Sequence, residues 1–313
     1  MHPALSVIFF TTLAGAAQGL VLAMFAAEWA SHRHWLGTLP DAAFYIGGGL
    51  VAAALAAGGL AASFLHLGRP ERAWRAAAQW RTSWLSREVI VLPGFIVLAL
   101  AYAGAHALAR DESFAVGALA ALAAIVLFVC TGMIYACIRF LREWATALTP
   151  LNFTLLGCAN GFTLAAALAG WLAPPQARFF AIGAVAFTVA GLIGRAAAWR
   201  RNARLAPKST LQTALGIKHP RIEQRSQGFM GGSFNTKEFF HGRSEAALRG
   251  LRWLALGGGF ALPLALLAAA LATATPAWAL PAFALQYLGL LAERWLFFAE
   301  ARHPQNLYYQ RMA

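Results

Sequence analysis

The sequence predicts an all-α, polytopic membrane protein: a bundle of eight transmembrane helices with one long connection between the sixth and the seventh. Three observations carry this. Of 313 residues, 60% are hydrophobic and only 12% are charged, about half the charge of an ordinary soluble domain. Apolar stretches recur, most of them roughly 18 residues or longer, enough to cross a hydrocarbon core of about 30 Å. Lys and Arg gather in alternate connections between those stretches, the pattern that orients helices in a bilayer.

The expected spans are residues 7–27, 42–65, 89–108, 114–138, 151–172, 179–193, 253–271 and 278–298. Within lipid each backbone group must find its partner inside its own segment, so the spans are helices. Their length and the absence of period-2 alternation argue against an outer-membrane barrel. The first span lacks a basic leader segment and is too long for a signal peptide, so it is expected to stay in the mature chain. Trp29, Trp35, Trp84, Trp144, Trp171, Trp199, Trp253 and Trp278 fall near span ends, where interfacial aromatics belong. Gly15 and Gly19, and again Gly157 and Gly161, form small-residue faces that permit close helix contact. Cys130, Cys137 and Cys158 lie in apolar stretches without CxxC spacing. They read as small packing residues, not as cluster ligands.

Orientation follows from charge. The connections on the side of the N-terminus, with the C-terminal end, hold 22 of the 25 Lys and Arg, and the opposite connections hold 3. Both termini are therefore expected in the cytoplasm, with the chain multi-pass in a bacterial inner membrane. The formal charge of +13 reads as this topology signal, since no basic stripe suited to nucleic acid is present. The chain is read as a single membrane domain over 1–313, with a cytoplasmic loop at 194–252. Within that loop, residues 228–242 hold four Phe and four Gly with few charges. A disordered linker is poorer in aromatics, so this stretch is expected to dock on a partner protein. The competing reading is an amphipathic stretch lying on the lipid surface.

Ionisable residues at membrane depth are functional candidates. His66 ends the second span and Glu88 begins the third, both at the cytoplasmic interface. Gly68, Arg72, Ser86 and Arg87 lie in the same two stretches, and Tyr135 and Arg139 close the fourth span at the same depth. Together they form a candidate quinone-binding set. A quinone ring needs hydrogen bonds at two carbonyl oxygens and proton exchange coupled to electron transfer, and its tail needs an opening to lipid. Histidine exchanges protons near neutral pH, and a carboxylate passes them on. The bland alternative is that His66 caps its helix and Glu88 pairs with Arg87 or Arg72. An intrinsic haem fits poorly, because His66 and His106 sit at opposite ends of their spans, about 25 Å apart by helix rise. A transporter would be expected to show internal repeats and interrupted helices at the midplane, and no convincing repeat is visible.

Three stretches, Ser63-Phe-Leu-His-Leu-Gly-Arg-Pro70, Ser83-Trp-Leu-Ser-Arg-Glu88 and Met133-Ile-Tyr-Ala-Cys-Ile-Arg139, with the opening His2-Pro-Ala-Leu-Ser-Val-Ile-Phe-Phe-Thr-Thr, resemble the membrane-anchor subunit of dimethyl-sulfoxide-reductase-type molybdoenzymes, the DmsC family. The likeness covers nearly the whole chain. It implies an eight-helix anchor that holds a molybdopterin catalytic subunit and an iron–sulfur subunit with [4Fe-4S] clusters. Such anchors exchange electrons with ubiquinone or menaquinone and carry no haem or cluster of their own; the molybdenum chemistry belongs to the partner. The family's quinol-site histidine and glutamate fall on His66 and Glu88. The charge bias and the stretch from Gly228 are more like the anchor of a cytoplasm-facing sulfite-oxidising relative, whose partners sit on the cytoplasmic face and whose electrons run from sulfite to quinone. A quinol-oxidising reductase anchor is the alternative, although dimethyl sulfoxide reductase itself faces the periplasm.

Overall fold

The computed structural model describes residues 1–65, 67–223, 225 and 239–308, and every regular element among them is helical. Helix α1 (Leu5–His32) is the axis of the bundle, with most of its length buried. Around it stand α2 (Ala42–Phe64), α4 (Ser113–Ala136), α5 (Leu148–Leu172) and α10 (Ala279–Ala299), while α3 (Trp84–Ala107) packs against α2 and α4, and α6 (Ala177–Ala203) against α5. A 3₁₀ segment, Pro70–Gln79, links α2 to α3, and a short helix, α7 (Leu211–Leu215), lies in the long connection. Then α8 (Glu245–Leu256), a π-helical turn (Gly257–Ala261) and α9 (Leu262–Thr273) run on as one.

Among the described residues, seven helical runs are long and apolar enough to cross a membrane, counting α8 to α9 as one. The expected eighth span is also a helix: α10 has 21 residues, about 31 Å by helix rise. Its apolar run is broken by Glu293 and Arg294, both buried. Other boundaries differ from the expected ones by a few residues. Helix α3 begins at Trp84, so Ser86, Arg87 and Glu88 lie inside its first turns. The connection expected at 194–252 narrows to 204–244, because α6 continues to Ala203 and α8 starts at Glu245. Charge ends an apolar stretch without ending a helix: Arg195 keeps its backbone helical and pairs its side chain inside the protein. Most of the candidate docking stretch at 228–242 lies outside the described residues, as does His66.

The two small-residue faces expected from sequence pack on each other. A methyl group added at Gly19 would fall on the backbone at Gly157, and one at Gly161 on the backbone at Gly19 and Leu20. The backbones of α1 and α5 thus touch, which only glycine allows. Gly289 of α10 meets Gly258 and Gly259 of the π-helical turn in the same way. A π turn adds one residue per turn locally, and here it sits where two backbones cross. The main core surrounds α1. A second core, aromatic, lies at the end of the bundle where α1 begins, and combines Ile8, Leu141, Trp144, Phe153, Phe297 and Phe298.

Candidate functional site

The loop-side end of α3 is fixed by its cap. Ser83 Oγ accepts from the Ser86 amide at 3.3 Å, satisfying one of the free donors of the first turn. Arg87 folds back over its own helix start. Its Nε donates to the Trp80 carbonyl at 2.9 Å, its Nη2 to the Arg81 carbonyl at 2.8 Å, and its guanidinium lies 4.2 Å from the Trp84 ring centre. Glu88 points the other way, into the bundle, and is 4% exposed. Its carboxylate accepts a hydrogen bond from the Thr131 hydroxyl of α4. Neither cation expected to pair with Glu88 reaches it: Arg87 is held by carbonyls, and Arg72 meets Glu71 at 3.8 Å on the surface. Among the described residues Glu88 has no ion pair.

Tyr135 lies one turn beyond Thr131 on the same face of α4. Its ring stacks on Phe153 at 5.5 Å and meets Trp144, Phe297 and Phe298 edge-on. So the fold brings Glu88, Ser86, Thr131 and Tyr135 to one end of the α3–α4 pair. It leaves Gly68, Arg72 and Arg139 exposed on the surface of that end, with open space around Gly68. Nearness in sequence to a motif residue did not make these three part of the buried group.

Two buried polar clusters were not expected. In the first, Arg195 Nε of α6 lies 2.9 Å from Glu293 Oε1 of α10, and its Nη2 lies 3.3 Å from Glu300 Oε2. Arg294 Nε stands 3.3 Å from Glu293 Oε2, and Arg252 Nε 3.5 Å from Glu300 Oε1. The Arg294 guanidinium also lies 3.8 Å from the Phe153 ring centre. Beside this network is a cavity of about 10 Å³, lined by Glu143, Thr149, Asn152, Asn202 and the charged groups. The sequence held a signal for it, since Glu293 and Arg294 fall within an apolar span, where charges are rare and paired.

The second cluster lies at the opposite end of the bundle. Glu28 accepts from the Tyr102 hydroxyl and, at 3.0 Å, from Ser113, and His106 Nε2 lies 3.4 Å from Glu28 Oε1. Tyr45 stacks on His106 at 3.8 Å, nearly parallel. One carboxylate ties α1, α3 and α4 together there, and the Tyr45 ring adds α2 through His106. Glu28 stands one residue past the end of the expected first span, which is why a count of charges inside spans misses it.

A cavity of about 840 Å³ opens on the loop side between the ends of α6, α8 and α10. Glu143, Asn202, His241, Arg252, Glu300 and Asn306 are among its walls. His303 stacks on Phe239 at 3.9 Å, and Asn306 donates to the Phe239 carbonyl at 3.2 Å, so the end of the long connection is pinned to the chain after α10. Burial, with the N-terminal amine nearby, holds the His303 and His241 imidazoles below the usual histidine range.

A closely packed helical bundle, several of its helices fit to span a bilayer and its charges folded inward at both ends, defines a multi-pass membrane protein. Residues 1–216 match the DMSO reductase anchor subunit family (DmsC), and the chain belongs to that family. It is also 52% identical over 326 residues, spanning all of both chains, to a sulfite dehydrogenase subunit from Allochromatium vinosum.

Proposed function

We propose that this chain is the quinone-reactive anchor of a three-subunit molybdopterin and iron–sulfur oxidoreductase, and that the assembly oxidises sulfite and reduces quinone. The full-length likeness to a sulfite dehydrogenase subunit supports the direction. Glu88 carries the quinone assignment: it is a carboxylate within two turns of a helix start, buried, and held by a hydroxyl rather than an arginine. Such a group is free to pass a proton to and from a ring oxygen. His66, two residues beyond α2, is assigned to the second oxygen, as the family resemblance implies. Ser86 and Tyr135 line the buried side; Gly68, Arg72, Arg87 and Arg139 form the rim. Leu65, Leu67, Leu85 and Ile90 are exposed apolar residues beside it, a surface suited to an isoprenoid tail.

Eight spans and cytoplasmic termini belong to this reading. The Met1 amine donates to the carbonyls of Ala299 and Ala301 at 3.0 Å each, so α1 begins where α10 ends. That arrangement suits an even number of crossings, with α10 as the eighth. The partner subunits then sit on the cytoplasmic face, over the large cavity and the connection at 204–244. The second reading is a quinol-oxidising reductase anchor, favoured by the family's own description; the chemistry asked of Glu88 is the same in reverse. Purification decides the frame. A tagged chain extracted in mild detergent should bring down two further subunits with molybdenum and iron, and the preparation should reduce decylubiquinone with sulfite. A chain that isolates alone would overturn the assignment, and sulfoxide-dependent quinol oxidation without sulfite activity would favour the second reading.

A further inference from the structure

We infer that the 3₁₀ segment Pro70–Gln79 is a docking surface for the iron–sulfur subunit, receiving acidic side chains of that subunit on a row of arginines beside the proposed quinone site. This rests on the function proposed above and names the contact that orients the electron donor. Runs of 3₁₀ helix longer than a few residues are uncommon, and this one has ten. With three residues per turn, side chains at i and i+3 eclipse one another about 6 Å apart, so the segment carries three rows. Ala73 and Ala76 share one row and are half-buried, and the segment packs against α3. Trp74 and Trp80 keep the spacing of the second row, at 71% and 52% exposure. Arg72 and Arg75 stand in the third row; Arg69 before the segment and Arg81 after it keep the same spacing in sequence, and all four are exposed. Arg72 meets Glu71 at 3.8 Å. Among the described residues, Arg69, Arg75 and Arg81 have no ion pair.

Exposed tryptophan and arginine suit either a lipid surface or a protein interface. On lipid, the rings would sink towards the acyl chains while the cations stay in the headgroup layer. Here the Arg75 guanidinium lies 5.5 Å from the Trp74 ring centre, and that of Arg81 5.4 Å from Trp80. A ring entering hydrocarbon would draw its cation in with it, at a cost. At protein interfaces, tryptophan and arginine are the residues that most often carry the binding energy, and such pairs stay together there.

The place of the segment favours the same occupant. In the proposed assembly a quinone ring at Glu88 takes its electrons from clusters in another subunit, so a cluster-bearing protein must approach the loop-side end of α3. The segment leads into that end and is fixed to it. Arg87, the neighbour of Glu88, donates to the Trp80 and Arg81 carbonyls. A protein seated on the segment is thus held in register with Glu88. Four arginines against one carboxylate call for an acidic facing surface, and complementary charge of this kind fixes orientation and approach more than it adds affinity. The connection at 204–244 remains the main attachment; the arginine row sets how the subunit sits over Glu88.

Photo-cross-linking in membranes tests this directly. Trp74→p-benzoylphenylalanine, in the full chain expressed with its partner subunits, should join this chain to the iron–sulfur subunit on irradiation. Ala78→p-benzoylphenylalanine, in the arginine row, repeats the test without removing a tryptophan or an arginine. Cross-links at both positions to phospholipid alone would give the segment to the membrane surface and overturn the inference. So would cross-links to the catalytic subunit alone, or none. Arg75→Glu with Arg81→Glu then tests the charge. Neither guanidinium makes a hydrogen bond or ion pair among the described residues, so the fold loses little. Two like charges facing an acidic surface should lower decylubiquinone-linked turnover about tenfold, with the quinone KM and dye-linked turnover unmoved. Unchanged quinone-linked turnover in the assembled variant would remove the orienting role. A chain that isolates without partners sinks the function proposed above; partners that co-isolate while the cross-links miss the iron–sulfur subunit sink only this docking surface.

Discussion

A carboxylate buried against a threonine and a carboxylate gripped by arginines answer substitution differently. Glu88 has no ion pair to lose, so replacing it disturbs the charge balance of the fold less than replacing Glu293. Glu88→Lys places a cation where the proposed site needs a proton carrier, beside the arginine at 87. His66→Arg replaces a group that gains and loses a proton with a fixed cation. Both variants should lower quinone-linked turnover by about 10²-fold or more, while dye-linked turnover in the assembled complex persists. Normal quinone-linked turnover in both would place the site elsewhere and return His66 to helix capping. Glu88 was legible in the sequence because a charge at the start of an apolar span is conspicuous. Its true partner was not, since Thr131 is an unremarkable polar residue 43 positions away. Arg72, beside the motif, meets Glu71 on the surface and does not reach Glu88.

At the scale of elements, hydropathy found the helices and misjudged their ends. A span ends in sequence where the apolar run stops, but a helix ends where its backbone loses partners or gains a cap. Ser83 and Ser244 supply such caps to α3 and α8, and both helices start before the apolar run does. The π-helical turn at Gly257–Ala261 left no periodic trace; it sits where the backbone of α10 at Gly289 approaches Gly258 and Gly259 too closely for a side chain. The connection at 204–244 is where the proposal meets its partners. Deleting residues 228–242 should release the catalytic and iron–sulfur subunits to the soluble fraction, measured by immunoblot, with the anchor still inserted. The motive is an aromatic and glycine-rich stretch with no span of its own, whose end is pinned through Phe239 to His303. Partners that stay on the membrane would show that the docking surface is elsewhere. The exposed Trp74 and Trp80 of the α2–α3 connection would then be the next place to look.

For the whole molecule, the sequence settled the class because the bilayer leaves a chain so few solutions. It did not show which helix stands at the centre. That place falls to α1, where glycine and alanine admit α5 at backbone distance, a matter of pairing between faces that no single stretch announces. The topology prediction belongs at this scale. Of the cations counted on the N-terminal side, Arg195 and Arg294 are buried in ion pairs and say nothing about orientation. The remaining bias still far exceeds the 3 on the other side. The contact of the Met1 amine with the chain just after α10 supports both ends lying together, so one orientation fixes both. Reporters fused after Ala313 or near Lys208 should therefore behave as cytoplasmic, and one near Asp111 as periplasmic. A phosphatase active only outside and a fluorescent protein bright only inside would read this in intact cells. The opposite pattern would move Glu88, the large cavity and the docked subunits to the periplasmic side. Protons for quinone would then be drawn from the periplasm, and an exported catalytic subunit would be required. Opposite behaviour of the reporters at Lys208 and after Ala313 would instead leave α10 short of a full crossing, despite its length.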